Sequence, residues 1–480
     1  MGSETRKLPT ALAALALSAL GQWFGSGLHP LWLLAWLAPV PLLVAAPRLG
    51  PWAAFATAAA AHAIGDLNTW TYASIVPVPI HLALVVAPAL AWGASVLLYR
   101  RFVRMGRLGS ALLSVPVAWT VFEYLWESAS PHGTFFDLAY TQMNCVPVIQ
   151  VAALAGHLGI GFCLVLAASA ISLLAASAPA SGKARVVAPA FLALAAVLAY
   201  GGLRASSAPT GPEVTVGLIA SDVPGNIGAR DPKASEALFR TYLAHVPEVA
   251  ARGAAVVILP EHLGAFVDDS RGGNASALDA LFGAAAKANH VYILAGVDAV
   301  DAQGVLWNQS RLYAPDGVLA GTYDKHHLLP GPESPFRPGS RLTVVPTPMG
   351  TWGLEICKDM DFPALSRDYG RAGIGLLLVP ALDFGVDGWL HGRMAVLRGV
   401  ESGFSIARSA AFGRLTLTDD RGRVRAESDA GAAPFAEVVA SVPVRHDATL
   451  YDRLGDWFAW LNGAVLVALM AIPTRSRRPD

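Results

Sequence analysis

The chain has 480 residues, of which 54% are hydrophobic and only 15% are charged, whereas an ordinary globular domain has about 25% charged residues. Its formal net charge is zero, and no basic stripe indicates a nucleic-acid partner. The three cysteines, Cys145, Cys163 and Cys357, are too few for a disulfide framework, and their spacing does not match a zinc site. The composition therefore favours a protein with a large membrane part.

Apolar runs with almost no charge dominate residues 8–203. A hydrocarbon core about 30 Å thick needs about 20 apolar residues in a helix. Suitable runs lie at 8–25, 29–47, 51–70, 74–99, 108–126, 148–177, 186–203 and 455–473. The sequence predicts an N-terminal membrane domain of seven helices over residues 1–205 and a C-terminal membrane helix over 453–474. A signal peptide is an alternative for the first run, but six further spans follow it.

The basic residues between these runs fall on one side of the predicted membrane. They are Arg6, Lys7, Arg48, Arg100, Arg101, Arg104, Arg107, Lys183, Arg185, Arg475, Arg477 and Arg478. The loops on the other side, around 25–28, 71–73 and 127–147, contain no Lys or Arg. Because basic loops stay in the cytoplasm, both termini are predicted to be cytoplasmic. Residues 213–447 are then outside, which in a bacterium means the periplasmic or outer side of the inner membrane.

Residues 213–447 have the pattern of a water-soluble domain. Short apolar segments, mostly rich in β-branched residues, predict strands at 214–220, 254–260, 290–296, 341–346, 351–356, 374–380 and 404–410. Helical stretches such as "KASEALFRTYLAHVPEVAARG" and "ASALDALFGAAAKAN" separate some of them. Strands that are apolar along their whole length are typical of a sheet covered by helices, so the sequence predicts a layered α/β domain.

Three polar residues stand at strand ends or in adjacent loops, where the functional groups of such sheets gather. Glu261 follows "VVILP", Lys325 lies in "YDKHHLLPGPE" and Cys357 follows "GLEI". Each taken alone has an ordinary explanation, as a helix N-terminal acid, a surface lysine or a packed thiol. Together they suit thiol acyl transfer, in which a carboxylate takes the thiol proton and the thiolate attacks a carbonyl. An ammonium and a backbone N–H then stabilise the oxyanion.

Three motifs resemble the Glu-Lys-Cys triad of the carbon–nitrogen hydrolase (nitrilase) superfamily: "LPE" at 259–261, "YDKHHLLP" at 323–330 and "ICKDMDFP" at 356–363. Outside this domain, 28–43, 138–170 and 449–460 are similar to segments of the bacterial apolipoprotein N-acyltransferase family. The resemblance extends over nearly the whole chain. It implies an α-helical membrane bundle of eight spans plus an extramembrane nitrilase-like α/β domain, an αββα sandwich.

The resemblance also implies roles for individual residues. Cys357 would take a fatty acyl group from a phospholipid as a thioester, and Glu261 would be the general base. Lys325 and the backbone N–H of Lys358 would stabilise the oxyanion, and Glu333 matches the family's second glutamate. The acceptor would be the α-amine of a diacylglyceryl-cysteine on an apolipoprotein. The resemblance implies no cofactor, no metal and no nucleic-acid partner, and the substrate-binding residues are not indicated.

The chain departs from the family pattern around the cysteine. Where the family usually has Tyr-Glu, this chain has Lys358-Asp359, so a cation beside the thiol is expected to favour the thiolate and the supporting carboxylate is one methylene shorter. Residues Ala410–Gly413 lack the "ANTG" that the family shows after its arginine. Glu355 would share the thiol's side of an ideal strand, as an extra acid at the site or as a local oddity.

Three functions are compatible with these features. The first is a membrane acyltransferase acting on lipoproteins. The second is a membrane-tethered amidase or nitrilase-like hydrolase that uses the same triad with water as acceptor, and the third is a catalytically silent lipid- or partner-binding protein. The presence of Glu261, Lys325, Glu333 and Cys357 disfavours the third. Eight spans disfavour the second, because a soluble amide substrate needs no membrane half.

Overall fold

The computed structural model describes residues 7–208, 211–229, 231–268 and 273–473. The chain divides into two compact units. The first comprises Met1–Ala129, Phe136–Arg204 and Asp456–Asp480, and the second comprises Ser130–Phe135 and Ala205–Gly455. The short segment Ser130–Phe135 lies inside the predicted 1–205 domain but packs with the second unit.

The N-terminal part of the chain is helical. Its helices are α1 (Lys7–Gly25), α2 (Trp32–Leu37), α3 (Val40–Ala45), α4 (Pro51–Asp66), α5 (Val78–Arg104), α6 (Leu108–Ala129), α7 (Val146–Ile149), α8 (Ala152–Leu174) and α9 (Ala180–Ser206). Among the described helices, five are long and apolar enough to cross a membrane, namely α1, α5, α6, α8 and α9. They correspond to five of the eight predicted spans.

The other predicted spans are shorter helices in the structure. The run at 29–47 gives α2 and α3, which are separated at Ala38-Pro39 although both residues keep helical backbone angles. Together they form a shorter apolar helix, Trp32–Arg48. The run at 51–70 gives α4, which ends at Asp66 and continues as a 3-10 helix over Leu67–Ser74. The apolar sequence is therefore present in these runs, but no single described helix extends along the whole of either.

The second unit contains the α/β part of the chain. Its described strands are β1 (Glu213–Ala220), β2 (Val256–Ile258), β3 (Ala265–Val267), β4 (Tyr292–Val300), β5 (Leu306–Tyr313), β6 (Leu319–Asp324), β7 (Thr343–Thr347), β8 (Gly350–Leu354), β9 (Leu376–Leu382), β10 (Ser405–Ala411), β11 (Arg414–Thr418), β12 (Val424–Asp429) and β13 (Ala436–Pro443). Its described helices are α10 (Pro232–Leu243), α11 (Val246–Ala251), α12 (Ala275–Asn289), α13 (Pro363–Arg371), α14 (Gly388–Ser402) and α15 (Leu450–Leu454).

These strands form two mixed sheets. The first has the order β13-β1-β2-β4-β5-β6, with β3 paired to β4, and the second has the order β12-β11-β10-β9-β8-β7. Both sheets have a parallel centre, formed by β1, β2 and β4 in the first sheet and by β8, β9 and β10 in the second. Antiparallel strands flank each centre.

Alternate residues of the central strands pack into different cores. Leu218 and Leu378 belong to a buried cluster that contains side chains of both sheets. The neighbouring Ile219 packs instead with side chains of α10, α11 and α12, and Leu377 packs with side chains of α13 and α14. Because both faces of these strands are buried, the strands are apolar along their whole length, which is why the sequence predicts an α/β domain here.

The last described helix, α16 (Trp457–Met470), belongs to the first unit. It has 14 residues and lies within the predicted C-terminal span at 453–474. The final residue of that span lies outside the described residues, as do the basic residues Arg6, Arg475, Arg477 and Arg478.

Candidate active site

The predicted site residues all follow strands of the second unit. Glu261 lies three positions beyond β2, Lys325 directly follows β6, and Cys357 begins a 3-10 turn just beyond β8. Glu333 lies in the connection between β6 and β7. Glu261, Lys325 and Glu333 are buried, whereas Cys357 keeps some solvent exposure.

A buried ion pair network holds the lysine. Lys325 Nζ donates hydrogen bonds to Glu261 Oε1 at 2.8 Å and to Glu333 Oε2 at 2.9 Å. Burial alone would lower the pKa of Lys325, but the two carboxylates outweigh it and hold that pKa well above its usual value. Lys325 is therefore a permanent cation. Its ammonium lies between oxygens of Glu261 and Glu333 that would otherwise be available to a metal ion.

Asn308, on β5, completes this network and was not predicted. Its Nδ2 donates to Glu261 Oε1 at 2.7 Å and to Glu333 Oε1 at 2.6 Å. Oxygen Oε1 of Glu261 thus receives both the lysine and the amide, whereas Oε2 of Glu261 has no hydrogen-bond donor among the described residues. The sequence offered no signal for Asn308, because no strand was predicted at 306–313 and the adjacent Trp307 and Gln309 are only partly buried in the structure. The network fixes one carboxylate oxygen and leaves the other able to accept a proton.

The backbone of Cys357 is in the left-handed region, with φ of 43°. For a residue with a Cβ this conformation costs about 1–2 kcal/mol, and such strain often occurs at reactive residues. At this turn the chain leaves the direction of strand β8 and begins the 3-10 helix Cys357–Asp361. Among the described residues, no backbone carbonyl accepts the Lys358 N–H, so that donor is available beside the thiol.

Burial raises the pKa of the Cys357 thiol well above its usual value, and the carboxylate of Glu261 raises it further, against the opposing charge of Lys325. Its Sγ donates to the Leu382 carbonyl at 3.4 Å. The expectation that Lys358 favours the thiolate is therefore not met. The Lys358 ammonium instead donates to Asp361 Oδ2 at 3.1 Å and lies 3.3 Å from His132 Nδ1. The resting thiol is neutral and needs a base.

Asp359 links the cysteine turn to the segment that carries the lysine. It is fully buried, and its Oδ2 accepts the Tyr323 hydroxyl at 2.7 Å. Its Oδ1 accepts the backbone N–H of His327 at 2.8 Å. Since Tyr323 and His327 flank Lys325, these hydrogen bonds connect the cysteine turn to the segment that carries the lysine, and the supporting role of Asp359 stays a prediction.

Glu355 is not on the thiol's side of the chain, so the inference from ideal strand alternation was wrong. Its carboxyl group accepts hydrogen bonds from Ser366 Oγ on α13 at 3.3 and 3.4 Å. The alternation fails because the strand β8 ends at Leu354 and Cys357 turns in the left-handed region. Burial raises the pKa of Glu355 well above its usual value, which makes it a buried acid of the helix layer.

A second buried ion pair lies near the thiol. Arg408, on β10, donates to both oxygens of Asp383, at 2.9 and 2.5 Å, and the charges of both residues act on Cys357. A Cβ on Gly413 would meet Asp383 Oδ2 at 2.0 Å. Although Ala410–Gly413 departs from the family pattern, it still ends in a glycine, Gly413, at the point where the backbone approaches the Asp383 carboxylate.

His262 is a further residue that the sequence interpretation missed, although it adjoins Glu261. Its ring contacts two carboxylates, with Nε2 3.2 Å from Glu333 Oε1 and Nδ1 2.5 Å from Asp298 Oδ1. Burial alone would lower the pKa of His262, but Glu261, Asp298 and Glu333 outweigh it and raise the pKa to about 10. His262 is therefore a second cation at the site.

The protonated His262 predicts a pH-dependent stability. A group whose folded pKa exceeds its unfolded value of about 6.5 stabilises the fold fully below about pH 6.5, and this contribution is lost as the pH rises through the folded value of about 10. His262→Gln should therefore be destabilised by at least about 1 kcal/mol at pH 6, with a gap to the parent that narrows toward pH 10. Thermal unfolding of the detergent-solubilised protein measures this.

The matched control is His326→Gln, because the His326 ring lies against the Arg341 carbonyl rather than a carboxylate. Its gap to the parent is the baseline against which the pH dependence of the His262→Gln gap is judged. A gap for His262→Gln that stays constant or widens from pH 6 to pH 10 would contradict the assigned charge.

Two family models match the chain. Residues 12–170 match the N-terminal domain of apolipoprotein N-acyltransferase, and residues 227–449 match carbon-nitrogen hydrolase. The site residues Glu261, Lys325, Glu333 and Cys357 fall within the second match.

Relatives cover both units. An apolipoprotein N-acyltransferase from Geobacter metallireducens is 30% identical over 498 residues, which cover 94% of this chain and 92% of that protein. One from Gloeobacter violaceus is 28% identical over 404 residues, covering 77% of this chain and 73% of that protein. Human omega-amidase NIT2 is 26% identical over 237 residues, covering 42% of this chain and 84% of that protein. With both the membrane part and the hydrolase-like part matched, the chain belongs to the apolipoprotein N-acyltransferase family.

Proposed function

We propose that this chain is a membrane acyltransferase that moves a fatty acyl group from a phospholipid, through a thioester on Cys357, to the N-terminal amine of a diacylglyceryl-cysteine lipoprotein. The observation that carries the proposal is the 94% coverage of the chain by an apolipoprotein N-acyltransferase. An amidase relative covers only 42%. A hydrolase that used water as acceptor would have no use for the membrane part that distinguishes this chain.

In the first half-reaction Glu261 is the general base. Its Oε1 is held by Lys325 and Asn308, so Oε2 takes the thiol proton as the sulfur attacks the ester carbonyl of the phospholipid. The C–O bond then breaks, the departing lysophospholipid alkoxide receives the proton from Glu261, and the acyl group remains on sulfur. Because the resting thiol is neutral, proton removal and attack belong to one step.

The oxyanion of the tetrahedral intermediate requires preorganised donors. Lys325 supplies a fixed positive charge, and the Lys358 backbone N–H supplies a second donor next to the sulfur. Glu333 holds the lysine in place, and His262 contacts the same carboxylate. Glu333 and Asp359 therefore act through position.

In the second half-reaction the acceptor amine attacks the thioester. The C–S bond breaks, an amide forms, and the amine proton returns through Glu261 to the Cys357 thiolate. Microscopic reversal of the first step uses the same groups, which is the usual logic of a ping-pong acyl transfer.

We further propose the finer organisation of the chain. Eight membrane segments would arise if the divided run at 29–47, helix α4 and helix α16 also lie in the bilayer, with residues 1–205 and 453–474 forming the membrane part. The catalytic domain at 213–447 would be an αββα sandwich on the periplasmic face, with both termini in the cytoplasm. The one-sided distribution of basic loop residues supports this orientation. One proposed substrate is a phospholipid and the other carries a lipid anchor, so both would reach the enzyme from the bilayer that the membrane part occupies.

The acceptor decides between acyl transfer and hydrolysis. Purified protein incubated with phospholipid and a diacylglyceryl-cysteine peptide is expected to give N-acylated peptide and lysophospholipid in equal amounts. The peptide with an acetylated N-terminus is the matched control, because it keeps the lipid anchor and removes only the nucleophile. Mass spectrometry of both products measures the ratio.

With the blocked peptide, lysophospholipid should stop at one equivalent per enzyme, since the acyl-enzyme has no acceptor. Continuous release of free fatty acid, with either peptide and without N-acylated product, would instead support the hydrolase.

A further inference from the structure

A second cluster of ionisable side chains lies in the helical unit, apart from the acyl-transfer residues. Glu123 and Glu127 are one turn apart on α6, Asp137 directly precedes the 3-10 turn Leu138–Gln142, and His157 is on α8. Glu123, Asp137 and His157 are at least nine-tenths buried, with exposed fractions of 4%, 6% and 2%. Ionisable residues in a membrane helix are costly, and they usually face a functional interior site.

One imidazole nitrogen stands between two carboxylates. His157 Nε2 is 2.6 Å from Glu127 Oε2 and 3.2 Å from Asp137 Oδ2. A single ring nitrogen carries at most one proton, and that proton cannot satisfy both oxygens. Asp137 Oδ2 is accordingly left without a hydrogen-bond donor among the described residues. A buried carboxylate oxygen that accepts no hydrogen bond needs an explanation, and here the oxygen is placed to coordinate a cation.

The fourth member adds a further negative group on the same side. Glu123 Oε1 accepts the backbone N–H of Leu138 at 2.9 Å, which places this carboxyl group next to Asp137. Its Oε2 lies 3.1 Å from the position that a Cβ on Gly161 would take. Since Gly161 is one helical turn beyond His157, the glutamate faces the same part of α8.

The charges in this cluster do not balance. The cluster contains three carboxyl groups and one imidazole. Among the described residues, none of the three carboxyl groups forms an ion pair with a lysine or arginine. Even with the imidazole protonated, a fully ionised cluster carries a net charge of −2. Buried charges without a counterion are strongly unfavourable, so the cluster must hold either extra protons or a cation.

We propose that Glu127, Asp137 and His157 bind a divalent metal ion, with Glu123 as an adjacent fourth acid. His157 Nε2 lies 2.6 Å from Glu127 Oε2 and 3.2 Å from Asp137 Oδ2, which is within the span of about 4.4 Å that two ligands of one ion at about 2.2 Å can have. All three ligand atoms lie within 4.8 Å of one another. With a metal bound, the imidazole nitrogen and both oxygens are all ligands, and Asp137 Oδ2 gains a partner. Two oxygens and one imidazole suit a first-row ion such as Zn²⁺, which should bind more tightly than Mn²⁺.

The proposed ion is structural. It would join α6, the segment at Asp137 and α8 by bonds that persist only while all three are folded together. The acyl-transfer residues are on other elements, so the proposal neither depends on the proposed function nor is tested by activity.

The test uses full-length protein without a histidine tag, purified in detergent and stripped with EDTA. After incubation with Zn²⁺ and gel filtration, the parent should retain about one metal equivalent by mass spectrometry of the metal, and its thermal midpoint should rise on Zn²⁺ addition. Asp137→Asn and His157→Gln should each lower the affinity at least about tenfold. Since thiols also bind zinc, Mn²⁺ binding followed by electron paramagnetic resonance provides a thiol-independent measurement.

The matched control is His62→Gln. His62 forms a pair with Asp66 on α4, with a nitrogen–oxygen distance of 2.9 Å, so the substitution removes a buried histidine–carboxylate contact elsewhere in the same unit. It should keep full metal binding. The parent experiments need no variant, so failure of a variant to fold does not prevent a result. A parent that retains neither ion and shows no thermal shift with either, or an Asp137→Asn variant that binds both as the parent does, would overturn the proposal in favour of carboxyl groups that share protons.

Discussion

Cys357→Ala is expected to abolish acyl transfer, because it removes the sulfur that carries the acyl group. Alanine keeps the Cβ, so the left-handed backbone at this position, with φ of 43°, is under the same constraint in the variant and the turn should persist. The measurement is the intact mass of the protein after incubation with phospholipid. The parent should gain one fatty acyl adduct that hydroxylamine removes, as a thioester requires, and the variant should gain none.

The other two cysteines supply the controls. Cys145 adjoins the short helix α7, and Cys163 is buried within α8. Cys145→Ala and Cys163→Ala should keep the adduct, and Cys357→Ser should acylate far more slowly, since a hydroxyl is much less ionised than a thiol. Turnover by Cys357→Ala above a small residual rate would end the covalent mechanism.

The grouping of Glu261, Lys325 and Cys357 was predictable because each residue follows an apolar strand or lies in a nearby loop, and their catalytic roles stay predictions. In a layered α/β domain such positions gather at one edge of the sheet, so three separate motifs indicated one site before any geometry was known. Strand alternation was reliable inside β8 and failed at its end. Glu355 illustrates this limit, since its prediction assumed that the strand continues to Cys357, where the backbone instead turns.

The residues that escaped prediction are those whose role depends on long-range contacts. Asn308 and His262 contact Glu333, which is distant in sequence, and neither has a local pattern that separates it from an ordinary strand or loop residue. The spans show the same limit, because hydropathy identifies apolar runs but does not decide whether a run such as 29–47 is one continuous helix.

Glu261→Gln is expected to slow thioester formation about 10³-fold, within the range typical of a lost general base. The substitution is conservative at this site. Both donors to Glu261, the Lys325 ammonium and the Asn308 amide, bind Oε1, and the carbonyl oxygen of glutamine can accept both. Glutamine has an amide NH2 in place of Oε2, so it cannot take the thiol proton there. The loss should therefore appear in the rate of acylation and leave the folded site intact.

The pH dependence distinguishes this explanation from general damage to the site. Since burial raises the pKa of the Cys357 thiol well above its usual value, the variant must rely on the small thiolate fraction that the solvent generates. Its acylation rate should rise about tenfold per pH unit below that pKa, whereas the parent rate should depend much less on pH. Single-turnover acylation, followed by intact mass between pH 6 and pH 9, measures both slopes.

The matched control for Glu261→Gln is Glu355→Gln, which alters a buried carboxyl group two residues from the thiol in sequence. Burial raises the pKa of Glu355 well above its usual value, glutamine keeps the shape of this side chain, and its partner is Ser366 on α13. Acylation by Glu355→Gln should stay close to the parent rate. If both variants lose activity with the same flat pH profile, the effect is structural. A steep profile confined to Glu261→Gln identifies Glu261 as the group that takes the thiol proton.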